Sequence, residues 1–292
     1  MSAIPLDQAA RLRAMMQPAA PALRLARKTA HTIAIASGKG GVGKTSIAVN
    51  LAILLARRGQ RVTLLDADLG TANVDVMLNQ QNRWDLSHVI AGQKSISEVA
   101  REIEPGLTLV AGASGLADVA DLSSLQRVKL INQLAALDER SDLLLIDCGA
   151  GISQNVVAFA RAADEILVVV TPEPTSMTDS YALIKRLALA GSPPRIGLVM
   201  NQVETQAEAR DAFKRISQTI ERFLGLRVNL VGQVLRDSSL PSAIRQRIPL
   251  VVRYPRCPAA ACLAMLANGV AERAGRSLPR VGFFTRIASF FC

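Results

Sequence analysis

The chain has 292 residues, of which half are hydrophobic and only 3% aromatic, with four cysteines and a formal net charge of +10. That length suits one large α/β domain with a sizeable core, and the sequence holds no run of about 18 apolar residues that would read as a transmembrane helix. Cys148, Cys257, Cys262 and Cys292 form no C-x-x-C pair and have only His31 and His88 as possible companions, which argues against a zinc site or a disulfide framework and for the reducing cytoplasm.

In chain order, residues 6–16 read as a short helix followed by a tether containing Pro18 and Pro21. Asp7, Arg11 and Arg13 stand where a signal peptide would carry its apolar stretch, which argues against secretion. From Thr32 onward, short apolar runs alternate with helical stretches. Strands are predicted at 32–37, 61–65, 107–111, 143–146, 165–171, 195–200 and 229–235, and helices at 44–58, 123–138, 153–162, 175–190 and 205–224. Unbroken Val, Ile and Leu at 143–146 and 166–170 mark strands buried on both faces. The alternation predicts an α/β fold with a mostly parallel central sheet and helices on both faces. A linker rich in Gly, Arg and Pro at about 275–280 leads to a tail that carries four of the seven phenylalanines. The chain therefore divides into an N-terminal segment (1–30), a central domain (31–274) and a tail (275–292).

The charge is unevenly distributed. Residues 1–30 hold five basic residues and one acidic, and 236–292 hold nine arginines against Asp237 and Glu272. The middle, 31–235, holds 20 basic and 21 acidic residues. Basic ends on a balanced body favour anionic lipid or protein partners and argue against a broad nucleic-acid face.

Residues 37–46 read Ser-Gly-Lys-Gly-Gly-Val-Gly-Lys-Thr-Ser. Gly38 through Thr45 satisfy G-x-x-x-x-G-K-[ST] between a predicted strand and a predicted helix, the context the motif requires. Gly38, Lys39, Gly40, Gly41, Val42, Gly43 and Ser46 belong to a loop whose backbone N–H groups converge on phosphate oxygens, helped by the positive end of the following helix. Lys44 is placed to reach the β- and γ-phosphates of ATP, and the Thr45 hydroxyl to bind Mg²⁺. Two apolar strands further on end in carboxylates, Leu64-Leu65-Asp66-Ala67-Asp68 and Leu144-Leu145-Ile146-Asp147-Cys148-Gly149-Ala150-Gly151. Such strand ends are where α/β sheets hold their ligands. Cys148 reads as a small buried residue.

The loop resembles the deviant Walker A motif, K-G-G-x-G-K-[ST], of the MinD/ParA superfamily of ATPases. That resemblance implies a homodimer that sandwiches two ATP molecules, with Lys39 reaching across to the partner's nucleotide. It implies that Asp68 positions the attacking water, that Asp66 supports the Mg²⁺ shell and that Asp147 is an outer Mg²⁺ ligand. Gly151 would sense the γ-phosphate through its N–H, and Asn201 would hydrogen-bond adenine, with 234–237 on the other side of the base. Slow, partner-stimulated hydrolysis is expected.

On a helix, Phe283, Phe284, Ile287, Phe290 and Phe291 share one side, opposite Thr285, Arg286 and Ser289. Such a segment suits the lipid interface, and pairing two copies in an ATP dimer would strengthen attachment by avidity. The alternative is docking in a groove of its own domain; amphipathicity favours lipid, and both can hold at different stages. The N-terminal Asp7-Gln8-Ala9-Ala10-Arg11-Leu12-Arg13 resembles the D-Q-A-x-x-L-R motif of the FlhG/FleN group, MinD-like ATPases that control flagellar number. Gly112-Ala-Ser-Gly115 matches the same group. The resemblance implies that Asp7, Gln8, Leu12 and Arg13 engage an FlhF-like, signal-recognition-particle-type GTPase. It also implies a cytoplasmic protein peripheral on the inner membrane face, at a pole in some hosts, with flagellar switch (C-ring) proteins or a flagellar transcription regulator as further partners. A MinD-type division regulator, a ParA-type DNA-segregation ATPase, an iron–sulfur carrier and an ATP-binding scaffold are the alternatives.

Overall fold

The computed structural model describes residues 29–68, 73–80, 83–112, 124–191, 193–275, 281–288 and 290. The predicted N-terminal helix with Asp7, Gln8, Leu12 and Arg13 lies outside these, as do residues 113–115 and Phe291.

Strand β1 (His31–Ser37) leads into helix α1 (Lys44–Ala56), and β2 (Val62–Ala67) into the short helices α2 (Asn73–Met77), α3 (Leu86–Ile90) and α4 (Ile96–Val99). A hairpin of β3 (Arg101–Glu104) and β4 (Leu107–Val110) precedes α5 (Ser124–Arg140). Then β5 (Leu143–Ala150), α6 (Gln154–Ala162), β6 (Glu165–Val170), α7 (Pro174–Leu189), β7 (Arg195–Val203), α8 (Gln206–Leu224) and β8 (Asn229–Leu235) alternate. The remaining described helices are α9 (Ser239–Gln246), α10 (Leu250–Arg253), α11 (Pro258–Ala274) and α12 (Phe283–Ala288).

The strands form one sheet in the order β3-β4-β2-β5-β1-β6-β7-β8, parallel throughout except for β3, which runs antiparallel to β4 at the edge. The seven predicted strands are all present. The unpredicted β3 reads Arg-Glu-Ile-Glu and is half-exposed. A charged edge strand carries no apolar run to recognise, and its charges discourage pairing with another chain.

Alternate residues of each strand feed two cores. Ala34, Ala36, Leu144 and Ile146 meet α5–α8 and α12 on one face, and Ile33, Ile35, Leu143 and Leu145 meet α1, α10 and α11 on the other. Eleven of the thirteen residues of α1 are buried, because α10 and α11 cover the side that the sheet does not. Helix α8 has only one covered face, and Ala209, Ala212, Ile216 and Ile220 form its buried stripe at helical spacing. Its start is held by the Thr205 hydroxyl, which accepts the Glu208 amide.

The tail departs from the sequence reading that favoured lipid. Phe283, Phe284 and Ile287 are 0%, 0% and 3% exposed, packed in the core on the α5–α6 side of the sheet. Phe283 stacks on Phe159 of α6 with ring centroids 6.4 Å apart, and the Arg286 guanidinium donates to Asp164 at 2.7 Å. Phe290 is half-buried, with Arg161 over its ring. The physical reason is that an apolar helix face is equally served by lipid or by an apolar protein groove. Amphipathicity alone cannot tell them apart.

Helix α1, which carries the loop lysine, is tied to the C-terminal helices by one buried side chain. Asn50 donates to the Ser46 carbonyl at 2.7 Å and accepts the Val251 amide at 2.9 Å. Asn50→Leu strands that buried amide and is expected to lower stability by about 1–3 kcal/mol in urea unfolding. A loss below about 0.5 kcal/mol would show that the Val251 amide finds another acceptor.

Candidate active site

The loop between β1 and α1 lies at the C-terminal end of the central strand, where the chain's crossovers diverge to either side. Its shape depends on Gly43, which caps α1 with φ +88°; a Cβ there would also collide with the Asn201 side chain. Strand β7, two places along the sheet from β1, holds the loop from outside. The Asn201 amide donates to the Val42 carbonyl at 2.7 Å and the Gln202 amide reaches the Gly41 carbonyl at 3.4 Å. Gln202 sits at φ +58° where the β7–β8 register shifts, a bulge that turns its side chain toward the loop. The Ser37 hydroxyl donates to the Lys39 carbonyl at 2.9 Å.

The sheet delivers the carboxylates. Because β2 and β5 are paired, Asp66 and Asp147 are direct neighbours across the strands. Lys44 is 6% exposed and its ammonium donates to Asp147 Oδ1 at 2.6 Å, with Asp68 at 3.9 Å. Burial raises the Asp147 carboxyl above its ordinary range, and the Lys44 ammonium opposes that rise. Its second oxygen, Oδ2, has no hydrogen-bond partner among the described residues. Asp66 is pushed up to about 7, first by burial and further by Asp147 and Asp75, against the Asp68 amide and Lys44. Asp66, Asp68 and Asp147 thus gather around the Lys44 ammonium, a carboxylate-rich site that suits a divalent cation. The Thr45 hydroxyl lies beside the Asp147 carboxyl and favours its ionised form, so hydroxyl and carboxylates converge. Among the described residues no three His, Cys, Asp or Glu groups could hold a metal ion alone. A Mg²⁺ ion that takes phosphate and water for most of its ligands needs no such cage.

Other predicted site residues stand differently from their expected roles. Lys39 is engaged within its own chain, 3.3 Å from Glu173 and 3.1 Å from the Thr175 hydroxyl at the start of α7. The Gly151 N–H, assigned to γ-phosphate sensing, donates to the Ser37 carbonyl at 2.9 Å. Two parallel strand ends, β1 and β5, run close enough there to close a ladder bond. The Ser46 hydroxyl turns to the Met77 sulfur, so in this conformation Ser46 has only its amide, in the first turn of α1, to offer a phosphate. Asn201 is a support of the loop; its carbonyl oxygen remains as the group for a base. Asp237, on the expected far side of the base, is occupied by the Ser239 and Ala259 amides. Burial pushes the Cys148 thiol up to about 12, which makes it inert. Glu173, Thr175 and Gln202 escaped the sequence reading. A proline at the first position of α7 was the available signal that a helix end, with Glu173 as its cap, meets the loop.

Residues 30–192 match a family model described as an AAA domain. The chain is 39% identical over 240 residues to the antiactivator FleN of Pseudomonas aeruginosa, across 82% of this chain and 86% of that protein. It is 33% identical over 216 residues to the flagellum site-determining protein YlxH of Helicobacter pylori, across 74% of this chain and 73% of that protein. Its fold matches a chain of the MinC:MinD cell division protein complex of Aquifex aeolicus with a TM-score of 0.67 at 26% identity, covering 87% of this chain and all of that one. A phosphate loop with a second lysine, on this sheet order and beside these carboxylates, defines a nucleotide-hydrolysing domain, and the chain belongs to the MinD/ParA family of P-loop ATPases. Within that family it is similar to FleN and YlxH over more than two thirds of its length.

The raised Asp66 carboxyl gives the nucleotide-free protein a pH dependence. A group with a folded pKa near 7 and an unfolded value near 3.8 contributes stability below about pH 4 that is lost as pH rises through 7. Asp66→Asn is therefore expected to shrink the fall in Tm between pH 5 and pH 8, measured by calorimetry without nucleotide. An unchanged fall would show that Asp66 is already ionised in the folded protein.

Proposed function

We propose that this ATPase is a switch that dimerises on Mg²⁺-ATP, attaches to the inner face of the cytoplasmic membrane and sets flagellar number or placement through a signal-recognition-particle-type GTPase. The observation that carries the reading is the contrast between the two loop lysines. Lys44 points into its own site and is 6% exposed, whereas Lys39 lies on the rim with 41% of its side chain exposed. A rim lysine is placed to serve a nucleotide in a facing subunit. The likeness to FleN, an antiactivator, and to YlxH, a flagellum site-determining protein, supports the flagellar role. So does the D-Q-A-x-x-L-R segment at 7–13, assigned to the partner GTPase through Asp7, Gln8, Leu12 and Arg13.

Arriving phosphates draw the Lys44 ammonium from Asp147 and draw Lys39 from Glu173 toward the partner's nucleotide. The Thr45 hydroxyl would hold a Mg²⁺ ion, with Asp66 and Asp147 behind it, and that ion would supply neutralisation of phosphate charge. Asp68, beside Lys44 and less buried than Asp147, orients the attacking water. Release of the γ-phosphate removes the charge that held both lysines, and the pair of subunits loosens. The tail serves the membrane in its released form, where Phe283, Phe284, Ile287, Phe290 and Phe291 exchange the protein groove for lipid. Two tails on one dimer bind where one does not. Further partners of the same class as the flagellar switch complex, or a flagellar transcription regulator, fit this reading; the charge-balanced body does not favour nucleic acid.

Asp68→Ala is expected to lower ATP turnover about 100-fold or more while leaving ATP affinity within a few-fold, by single-turnover and equilibrium binding assays. Lys39→Ala is expected to bind ATP yet remain monomeric in light scattering; a wild-type dimer from that variant would remove the rim lysine from the interface. Deletion of the gene, with flagella counted by electron microscopy beside cell length and DNA content, tests the cellular role. Altered flagella with normal division support it. Normal flagella with minicells or anucleate cells would transfer the same chemistry to division or DNA segregation.

A further inference from the structure

A buried acid outside the nucleotide site lies directly beneath the tail. Asp138, near the C-terminal end of α5, is 2% exposed. Its carboxyl sits against the chain where it enters α12, so close that a Cβ on Gly282 would press on Oδ2. The backbone cannot carry the carboxyl away, because the Asp138 carbonyl accepts the Ala30 amide at the start of β1 at 3.0 Å. Neither carboxylate oxygen has a hydrogen-bond partner in full geometry among the described residues.

The charged groups around it do not supply a dedicated counter-ion. From α12 come the Phe284 and Phe283 amides and the Arg286 guanidinium, all of which favour the ionised form. Arg286 is held by Asp164 Oδ1 at 2.7 Å, and from the turn before β6 Asp164 itself adds like charge. Asp164 Oδ2 accepts the Thr32 amide and lies 3.8 Å from His31 of β1. Next along β6, Glu165 holds Arg273 of α11 at 2.9 Å. Arg161 of α6 lies over the Phe290 ring. An ionised Asp138 is therefore enclosed with an arginine already claimed by another acid, a costly arrangement.

We propose that Asp138 is a proton-operated latch on the tail: the tail docks firmly over a neutral Asp138 carboxyl and is loosened when that carboxyl ionises. Burial outweighs the amides and Arg286 and brings the carboxyl to about 7 in the docked state, against an ordinary value of 3.8 once undocking lets water in. The docked state thus binds the proton more tightly. Docking is strongest below about pH 4, weakens as pH rises toward 7 and is level above that. Gly282 has a role here that its sequence context does not reveal, since any side chain would fill the space over the carboxyl. The latch concerns docking alone; that the released tail meets lipid rests on the proposed function.

The test is hydrogen–deuterium exchange of the full chain without nucleotide at pH 6 and pH 8, read as protection factors for the amides of 283–288. Wild-type protection is expected to be about tenfold higher at pH 6 than at pH 8. Asp138→Asn, neutral at both values, is expected to hold the tail equally well at each. Arg286→Gln is expected to lower protection at both and, because the guanidinium favours the ionised carboxyl, to widen the pH ratio. Protection of β5 amides reports whether each variant is folded. Equal wild-type protection at pH 6 and pH 8 would overturn the latch without any variant, as would an Asp138→Asn protein that keeps the wild-type ratio. A parallel sedimentation assay with vesicles of phosphatidylglycerol and phosphatidylcholine separates the two readings. Vesicle binding that ignores ATP, alongside pH-dependent protection, would sink the membrane switch and leave the latch standing.

Discussion

The buried contact between Lys44 and Asp147 is the interaction around which the rest of the molecule is arranged. An ammonium and a carboxylate 2.6 Å apart, both almost wholly excluded from water, join the first turn of α1 to strand β5. Removing either partner would strand the other, at a cost on the order of 3–5 kcal/mol. Asp66 and Asp68 lie close to the pair, and among the described residues one oxygen of Asp147 has no hydrogen-bond partner. The site is thus built with a negative surplus and an ammonium that can change partners, a polarity that a magnesium-bound polyphosphate reverses. The raised Asp66 carboxyl has a different chief cause, burial, with its charged neighbours adding less.

A second layer of constraint keeps the phosphate loop open. Asn201 and Gln202 hold two consecutive loop carbonyls from outside, which leaves the loop's N–H groups directed inward. Helix α7 meets the loop through Glu173 and Thr175, which hold Lys39 at the rim. The loop lysines are therefore both occupied by acids of their own chain before any nucleotide arrives. Binding in this fold is an exchange of partners rather than the filling of an empty cradle.

The tail is fixed at the opposite end of the strands, where Thr32 and Asp164 begin β1 and β6. A strand of six or seven residues separates the two regions by roughly 20 Å. One helix spans much of that distance. Helix α6 starts three residues after Gly151, beside the carboxylates, and its Phe159 stacks on Phe283 of the tail. The fold therefore places the turn at Gly151 and the tail groove at either end of a single rigid element.

Much of this was legible in the residues. The phosphate loop, the carboxylates at strand ends and the parallel α/β plan follow from local patterns: glycine spacing, apolar runs and helix starts that need no knowledge of distant contacts. The same local signals failed for β3, whose charges hide an edge strand, and for α2–α4 and α9–α11, which are short, or rich in alanine and covered on both sides. Sequence by itself determined the chemistry class, because only backbone-close residues build a phosphate cradle. The tertiary structure alone decided which partner each side chain takes. Lys39 meets Glu173 across 134 positions and Asp138 lies under a tail more than 140 residues further on. It also decided that the tail's apolar face is buried in protein, since hydrophobic burial has no direction until the groove that receives it exists.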